Sequence, residues 1–407
     1  MSGATENLPT LDLRDAAFRQ DPYPALARVR AENPVHQDAL GIWYVTRHAD
    51  VTAALKHPRL GRDLRQWMGY AMLRPYLADS PLERCVEQWM FSLDGAEHAR
   101  LRKLVARAFT PRAVAAMRAS IEQAADELIA EIEAARPSEL DIVSSFATPL
   151  PVRVIARVLG LPLETYDDLK EWSTTLALAL EPTSRRRHRE AASAAAEALM
   201  TRLRETVASR RESRADDVVS LLLAAEDGDA LTEDELVSQL VLLFVAGHET
   251  TTSLIGSGML ALARHPDEQR RLRDDPSLGP SAIEEMLRYE SPANTVARVV
   301  YEEVSIGGQR IGEGQMMLCM TGGANRDPDV FVDPERFDVG RSPNPHVSFG
   351  GGVHFCLGAP LARLEAQVCF ERLLRAFRGF DVAPGGVEWR DYVNLRSLDS
   401  LVLRPEW

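Results

Sequence analysis

The sequence predicts a mainly α-helical fold with a minor β region, and three observations carry that prediction. Helical periodicity dominates the chain. One helix opens on Thr232 with Glu235 three residues later as a capping box; its pattern continues to about Arg264, roughly 48 Å at ~1.5 Å per residue. Alternation with glycine turns, the mark of strands, occurs only in short stretches. No repeat or low-complexity linker divides the 407 residues, so residues 1–407 are expected to form one domain. Within it a small β-rich part covers about 20–60 and a helical core about 96–377.

Taken in order, residues 24–32 read as a short helix, 34–36 and 42–46 as two strands, and 48–56 as another helix. From Arg59 to Ser92 the pattern is irregular, with Trp67, Tyr70, Tyr76 and Trp89 scattered through it. That length without periodicity reads as a functional loop. Helices resume at 96–108, 111–135, 151–158 and 164–179, followed by an Ala-, Arg- and Glu-rich helix at 184–212 and a short one at 217–226. After the long helix, 281–289 is helical, 296–319 alternates as short strands, and 325–345 is a Pro- and Asp-rich coil. A helix at 359–377 and strands near 397–403 close the chain.

Composition narrows the function. At 45% hydrophobic and 26% charged residues the chain has ample material for a buried core. A net charge of −13 argues against nucleic acid as a partner. Cys85, Cys319, Cys356 and Cys369 are scattered without disulfide or zinc spacing, which fits a reducing compartment. Residues 1–14 are polar and acidic, and no apolar run reaches membrane-spanning length, so the expected location is cytoplasmic, away from membranes. Against the overall charge, Glu97 to Arg118 carries Arg100, Arg102, Lys103, Arg107, Arg112 and Arg118 with a single acid. These cations form either an ordinary solvated helix face or a surface that steers an acidic protein.

The chemistry concentrates in a few segments. Cys356 lies in Phe349-Gly350-Gly351-Gly352-Val353-His354-Phe355-Cys356-Leu357-Gly358, directly before a helix start. A lone cysteine there reads either as a small buried apolar group or as a thiolate favoured by the helix dipole and free N–H groups. The glycines let backbone approach something flat and large, which Phe349 could shield. With no second Cys or His at zinc spacing, the thiolate suits iron better than zinc, and His354 would point along the strand. In the long helix, Ala246-Gly247-His248-Glu249-Thr250-Thr251-Thr252 is poor helix material. It reads as a packing glycine with back-bonded threonines, or as a local groove holding a hydroxyl and an acid. Glu285 and Arg288 are three apart, as in any helical ion pair. His98 and Arg102 share one helix face.

Together the Phe-Gly-x-Gly-x-His-x-Cys-x-Gly pattern, the Ala-Gly-x-Glu-Thr-Thr segment and the Glu-x-x-Arg pair resemble the cytochrome P-450 family, in its order and over nearly the whole chain. The resemblance implies that family's fold, a triangular prism of helices around a buried haem. It implies haem b with Cys356 as the axial thiolate on iron, and His98, Arg102, Arg298 and His354 on the haem carboxylates. Phe349, Gly350 and Gly358 would line one face of that cofactor, Ala246 and Gly247 the other. Glu249 and Thr250 are implied as the catalytic proton-delivery pair, and Arg336 as the third member of a structural trio with Glu285 and Arg288. The implied activity is a monooxygenase that inserts one atom of dioxygen, by hydroxylation or epoxidation, into a mid-sized apolar small molecule such as a polyketide, terpenoid or steroid. Electrons would come from a ferredoxin and its reductase, with the chain a soluble bacterial monomer. Residues 62–89, 174–189, 243–248, 293–296 and 394–398 would supply the pocket. The run Arg185-Arg186-Arg187-His188-Arg189 reads as a solvated loop or as an attractor for an acidic or carrier-bound substrate. The rival readings are a non-catalytic relative that supports a partner enzyme, which would not need Cys356, and a haem-based sensor, which would not need Glu249 and Thr250.

Overall fold

The threonine at 232 starts the element around which the rest is built. Its hydroxyl accepts the Glu235 N–H at 3.2 Å while the Glu235 carboxylate accepts the Thr232 N–H at 2.8 Å, so two of the donors orphaned at the helix start are satisfied reciprocally. The helix runs Glu233–Arg264. Helices Pro149–Val158, Tyr166–Ala179, Arg186–Glu212, Gly279–Tyr289 and Ala359–Ala376 pack against it. Gly258 permits a close approach of two of these helices. A Cβ there would sit 2.5 Å from Phe370 and 2.8 Å from Met286, side chains of the Ala359–Ala376 and Gly279–Tyr289 helices. The computed structural model describes residues 8–77, 80–162, 165–181, 184, 186–224 and 231–407. Among the described residues, no helix is long and apolar enough to cross a membrane.

The β structure is minor. Its strands are β1 Val35–Gln37, β2 Ile42–Val45, β3 Leu60–Gly61, β4 Leu140–Asp141, β5 Val296–Val300, β6 Val304–Ile306, β7 Gln309–Ile311, β8 Met316–Cys319, β9 Gly379–Trp389 and β10 Leu398–Glu406. One sheet has the order β1-β2-β8-β5-β3, with β2 and β8 parallel; β4-β10-β9 form a second and β6-β7 a third. The first sheet thus joins the N-terminal strands to the 296–319 region. Its apolar face, with Val45, Val300, Met317 and Cys319, packs a core separate from the main helical one.

Several expectations need correction. Residues 59–92 are not one irregular loop. They hold β3, a 3-10 turn at Leu64–Gln66, helices Tyr70–Leu77 and Pro81–Glu87, and a second 3-10 turn at Met90–Ser92. Each helix has about two turns, too short for periodicity to register. The second carries its own start signal, with Ser80 accepting the Glu83 N–H at 3.1 Å and Pro81 in the first turn. The helix expected over 111–135 is two, Pro111–Ala116 and Arg118–Ala135, because the last turn of the first tightens and Met117 donates to Val114. Strand β9 was hidden by Pro384-Gly385-Gly386, which reads as a breaker. The ladder to β10 survives it through a register shift, with Gly385 at φ +71°. Helix Pro266–Asp274 was also missed. The expectations falling on 1–7, Glu164, Arg185 and Glu226 lie outside the described residues.

Candidate active site

Two glycines with positive φ, Gly350 at +70° and Gly352 at +66°, fold the segment before Ala359 into a tight loop. A Cβ on Gly352 would lie 2.8 Å from the Leu55 carbonyl, so only glycine lets the loop settle on the helix His48–Lys56. Gly350 N–H bonds to Val347 and Cys356 N–H to Phe349 at 2.9 Å, which fixes the cysteine beside the first turn of Ala359–Ala376. His354 lies in a 3-10 turn, Gly352–His354, not along a strand. Cys356 is exposed as a residue, with protein packed around its sulfur. Burial pushes its thiol up, opposed by N–H groups of Gly358 and Ala359 and by the charge of Arg102. The surroundings alone therefore do not make a thiolate; a bound metal cation would supply the missing stabilisation.

Against this loop lie two histidines and two arginines. His98 is buried with Nε2 unpartnered, and its ring stands 4.3 Å from that of His354. Burial first, then His354 and Arg102, pull His98 down to about 4, so it is neutral. Arg298 is buried and donates only to backbone, to Ala297 at 3.0 Å and Leu55 at 3.4 Å. Arg102 donates to the Phe355 carbonyl at 2.6 Å. The Asp94 carboxylate in this region is already engaged. It accepts from His354 Nε2 at 2.8 Å, Tyr301 hydroxyl at 2.5 Å, and the N–H groups of Arg62 at 2.6 Å and Asp63 at 3.0 Å. Buried guanidinium groups without a carboxylate partner are costly in isolation. Positive charge left over beside an accessible thiol and open glycines fits a flat dianion bound through iron. Haem has that shape and charge.

On the long helix, every residue from Leu236 to Leu262 is buried except Ala246, Gly247 and Thr250. These three share one face. The Thr250 hydroxyl donates back to the Ala246 carbonyl at 2.7 Å, the back-bonding expected of a threonine inside a helix. Glu249 turns away from that face and is buried. Its Oε2 accepts from Arg390 Nη1 at 3.1 Å, while Oε1 is unpartnered with His248 Nδ1 at 3.7 Å. Arg390 also reaches Asp399, which is exposed, at 3.5 Å. Arg390 was not anticipated, since it follows β9 and lies 141 residues from Glu249. The structure ties together three of the segments expected to share a pocket. Buried Glu181 accepts the N–H groups of Val393, Asn394 and Leu395 at 2.8, 2.9 and 3.1 Å, while His248 Nδ1 pairs with Ser173, just outside those segments, at 2.7 Å. Asn294 N–H bonds to Asn394 at 2.7 Å. A groove of about 410 Å³ bordered by Trp172, Ala198 and Arg202 shares no lining residue with this site.

Beneath the thiol loop a second charged group closes on itself. Glu285 and Arg288 are fully buried and pair through two hydrogen bonds of 2.8 and 2.7 Å. The third member is Arg341, whose Nε lies 3.0 and 3.1 Å from the Glu285 oxygens. Arg336, expected in that role, contributes only its carbonyl, to Arg288 at 3.1 Å and Arg341 at 2.9 Å, while its side chain is 61% exposed. Glu284 on the same helix holds Arg363 and His346, and Arg363 lies 4.5 Å over the Phe349 ring. Of the basic surface, Arg100 is paired with Glu235 and so is not free; Lys103, Arg107 and Arg112 are exposed.

The profile of the cytochrome P450 family matches residues 174–276 and 278–398. Cytochrome P450 107B1 of Saccharopolyspora erythraea is 41% identical over 98% of this chain and 99% of its own length. The polyketide biosynthesis cytochrome P450 PksS of Bacillus subtilis is 40% identical over 94% of this chain and 96% of its own. Among solved structures, that of P450BioI in complex with a hexadec-9Z-enoic acid-ligated acyl carrier protein superposes with a TM-score of 0.89 at 35% identity. It covers 96% of this chain and 99% of the other.

Proposed function

This chain belongs to the cytochrome P450 family and is a haem-thiolate monooxygenase, and on that footing we propose that Cys356 is the axial ligand and that Glu249 and Thr250 manage protons on the opposite side. The observation that carries the reading is the pairing of an accessible thiol, beneath cations that lack a carboxylate, with a single opening in an otherwise buried helix. Haem, when bound, supplies the activation of dioxygen and the oxidation of a C–H or C=C bond. His98, Arg102, Arg298 and His354 take its carboxylates; Phe349, Gly350 and Gly358 border it on the thiol side, and Ala246 and Gly247 leave room on the other. Thr250 presents its oxygen to that space, and Glu249 draws on solvent through Arg390 and Asp399.

The substrate is a mid-sized apolar secondary metabolite, most in keeping with a polyketide. The name of the PksS relative supports this, as do the exposed Met68 and Met72 near the expected pocket. Electrons come from a ferredoxin and its reductase, docking by acidic groups on the face bearing Lys103, Arg107 and Arg112. The protein works as a cytoplasmic monomer. The deciding experiment is the reduced carbon monoxide spectrum of purified protein. The thiolate-type red-shifted Soret band is expected in wild type and lost in Cys356→Ala; its absence from wild type would overturn the assignment. A spin-shift screen of polyketide, terpenoid and steroid panels then identifies the substrate.

A further inference from the structure

Arg62 is the one guanidinium of this region with no hydrogen bond from its side chain to any described residue. The main chain at 62 is fixed by its N–H to Asp94 at 2.6 Å, and its guanidinium carbon lies 3.5 Å over the Phe91 ring. Stacking on a ring orients the plane of an arginine while leaving its in-plane N–H groups free to point elsewhere. Burial, then the charge of Arg298, disfavours the cation, and Asp94 only partly compensates. Asp94 already accepts four donors, three on Oδ2 and His354 on Oδ1, and none of them is the Arg62 guanidinium. With Arg102 and Arg298 this makes three fixed positive charges, and a haem brings two carboxylates.

We propose that Arg62 is a carboxylate-binding residue at the edge of the cofactor cradle, held flat by Phe91 and presenting a bidentate fork to an acid group. A carboxylate is the matching ligand because the free edge of a guanidinium offers paired donors at the spacing of its two oxygens. The acid group belongs either to the cofactor or to a substrate entering beside it. The inference rests on the reading of the cradle given above.

The test uses holoprotein and two binding readouts. In wild type, Arg62→Gln, Arg62→Lys and Arg298→Gln, haem transfer to excess apomyoglobin is followed by the Soret band. Myristic acid and 1-tetradecanol are titrated separately by spin shift. A charge-assisted bond of this kind is worth roughly a tenfold change. Haem leaving Arg62→Gln about tenfold faster, with partial rescue in Arg62→Lys, assigns the carboxylate to the cofactor. A tenfold loss of myristic acid affinity with the alcohol unchanged assigns it to substrate. Should Arg62→Gln not fold, Arg62→Lys decides, because it keeps the charge and loses the fork. Unchanged haem retention and unchanged acid preference overturn the proposal. If Arg298→Gln still loses haem faster in that case, the cradle reading survives without Arg62; if it does not, both fall.

Discussion

The two buried charge clusters of this molecule are built from the same residue types and end in opposite states. Around Glu285 every donor has an acceptor. The carboxylate takes Arg288, Arg341, Asn344 and the Asp338 N–H, while the guanidinium groups spend the rest of their donors on carbonyls of Asn325, Val332, Asp333, Pro334 and Arg336. Around Asp94 the carboxylate is taken up by His354, Tyr301 and two backbone N–H groups, yet Arg102 and Arg298 reach only carbonyls and His98 Nε2 reaches nothing. A cluster that closes on itself holds chain to chain. One that leaves cations over holds something that is not chain. Burial cannot tell the two apart, but counting acceptors against donors does.

The largest test of this contrast is Glu285→Ala. It would strand two buried guanidinium groups, at a cost on the order of 3–5 kcal/mol, and folded protein is expected to be largely lost in denaturant titrations. Next, Arg298→Gln should lower haem affinity roughly tenfold or more, a charge-assisted bond being worth ~1.5–3 kcal/mol. Because that side chain bonds only to the Ala297 and Leu55 carbonyls, the midpoint of unfolding of the haem-free protein should move far less than in Glu285→Ala. Equal damage to folding from both variants would erase the distinction between the clusters.

A smaller effect is set by pH. Burial pushes the Glu284 carboxyl up, but hydrogen bonds from Arg363 and His346 outweigh it and hold the group at about 2. Its folded value lies below the unfolded ~4.3, so the stability it contributes is present above about pH 4.3 and is lost as pH falls toward 2. The acid limb of a stability titration should therefore be shallower in Glu284→Gln. The smallest effect belongs to Arg336→Ala, which keeps the carbonyl that is used and removes an exposed side chain. Its unfolding free energy should stay within ~0.5 kcal/mol of wild type, whereas a large loss would restore Arg336 to the trio.

That last variant shows where sequence reading reached and where it stopped. The glycine loop and the long helix with its capping box were legible because each rests on local spacing, whereas His98, Arg102, Arg298 and His354 were singled out through the resemblance to the family's motifs. Arg341 was not, since Arg336 sits in an equally plausible place in the same coil and only the turn at 333–341 decides which side chain points inward. Arg390 was invisible for a related reason: nothing in the neighbourhood of β9 signals a partner in the middle of another helix. The short helices within 59–92 fell below the length at which periodicity means anything, although Ser80-Pro81 carried a local start signal.

The hydroxyl of Thr250 has one further consequence. A hydroxyl owns a single hydrogen, and here it is already given to the Ala246 carbonyl. Toward the open face of the helix it therefore offers only lone pairs. Such a group does not greet every guest alike. It welcomes one that arrives carrying its own hydrogen and is indifferent or repellent to one that arrives bare. The backbone carbonyl one turn away thus sets the polarity of this open face of the helix, making it a discriminator of protonation before any acid has moved.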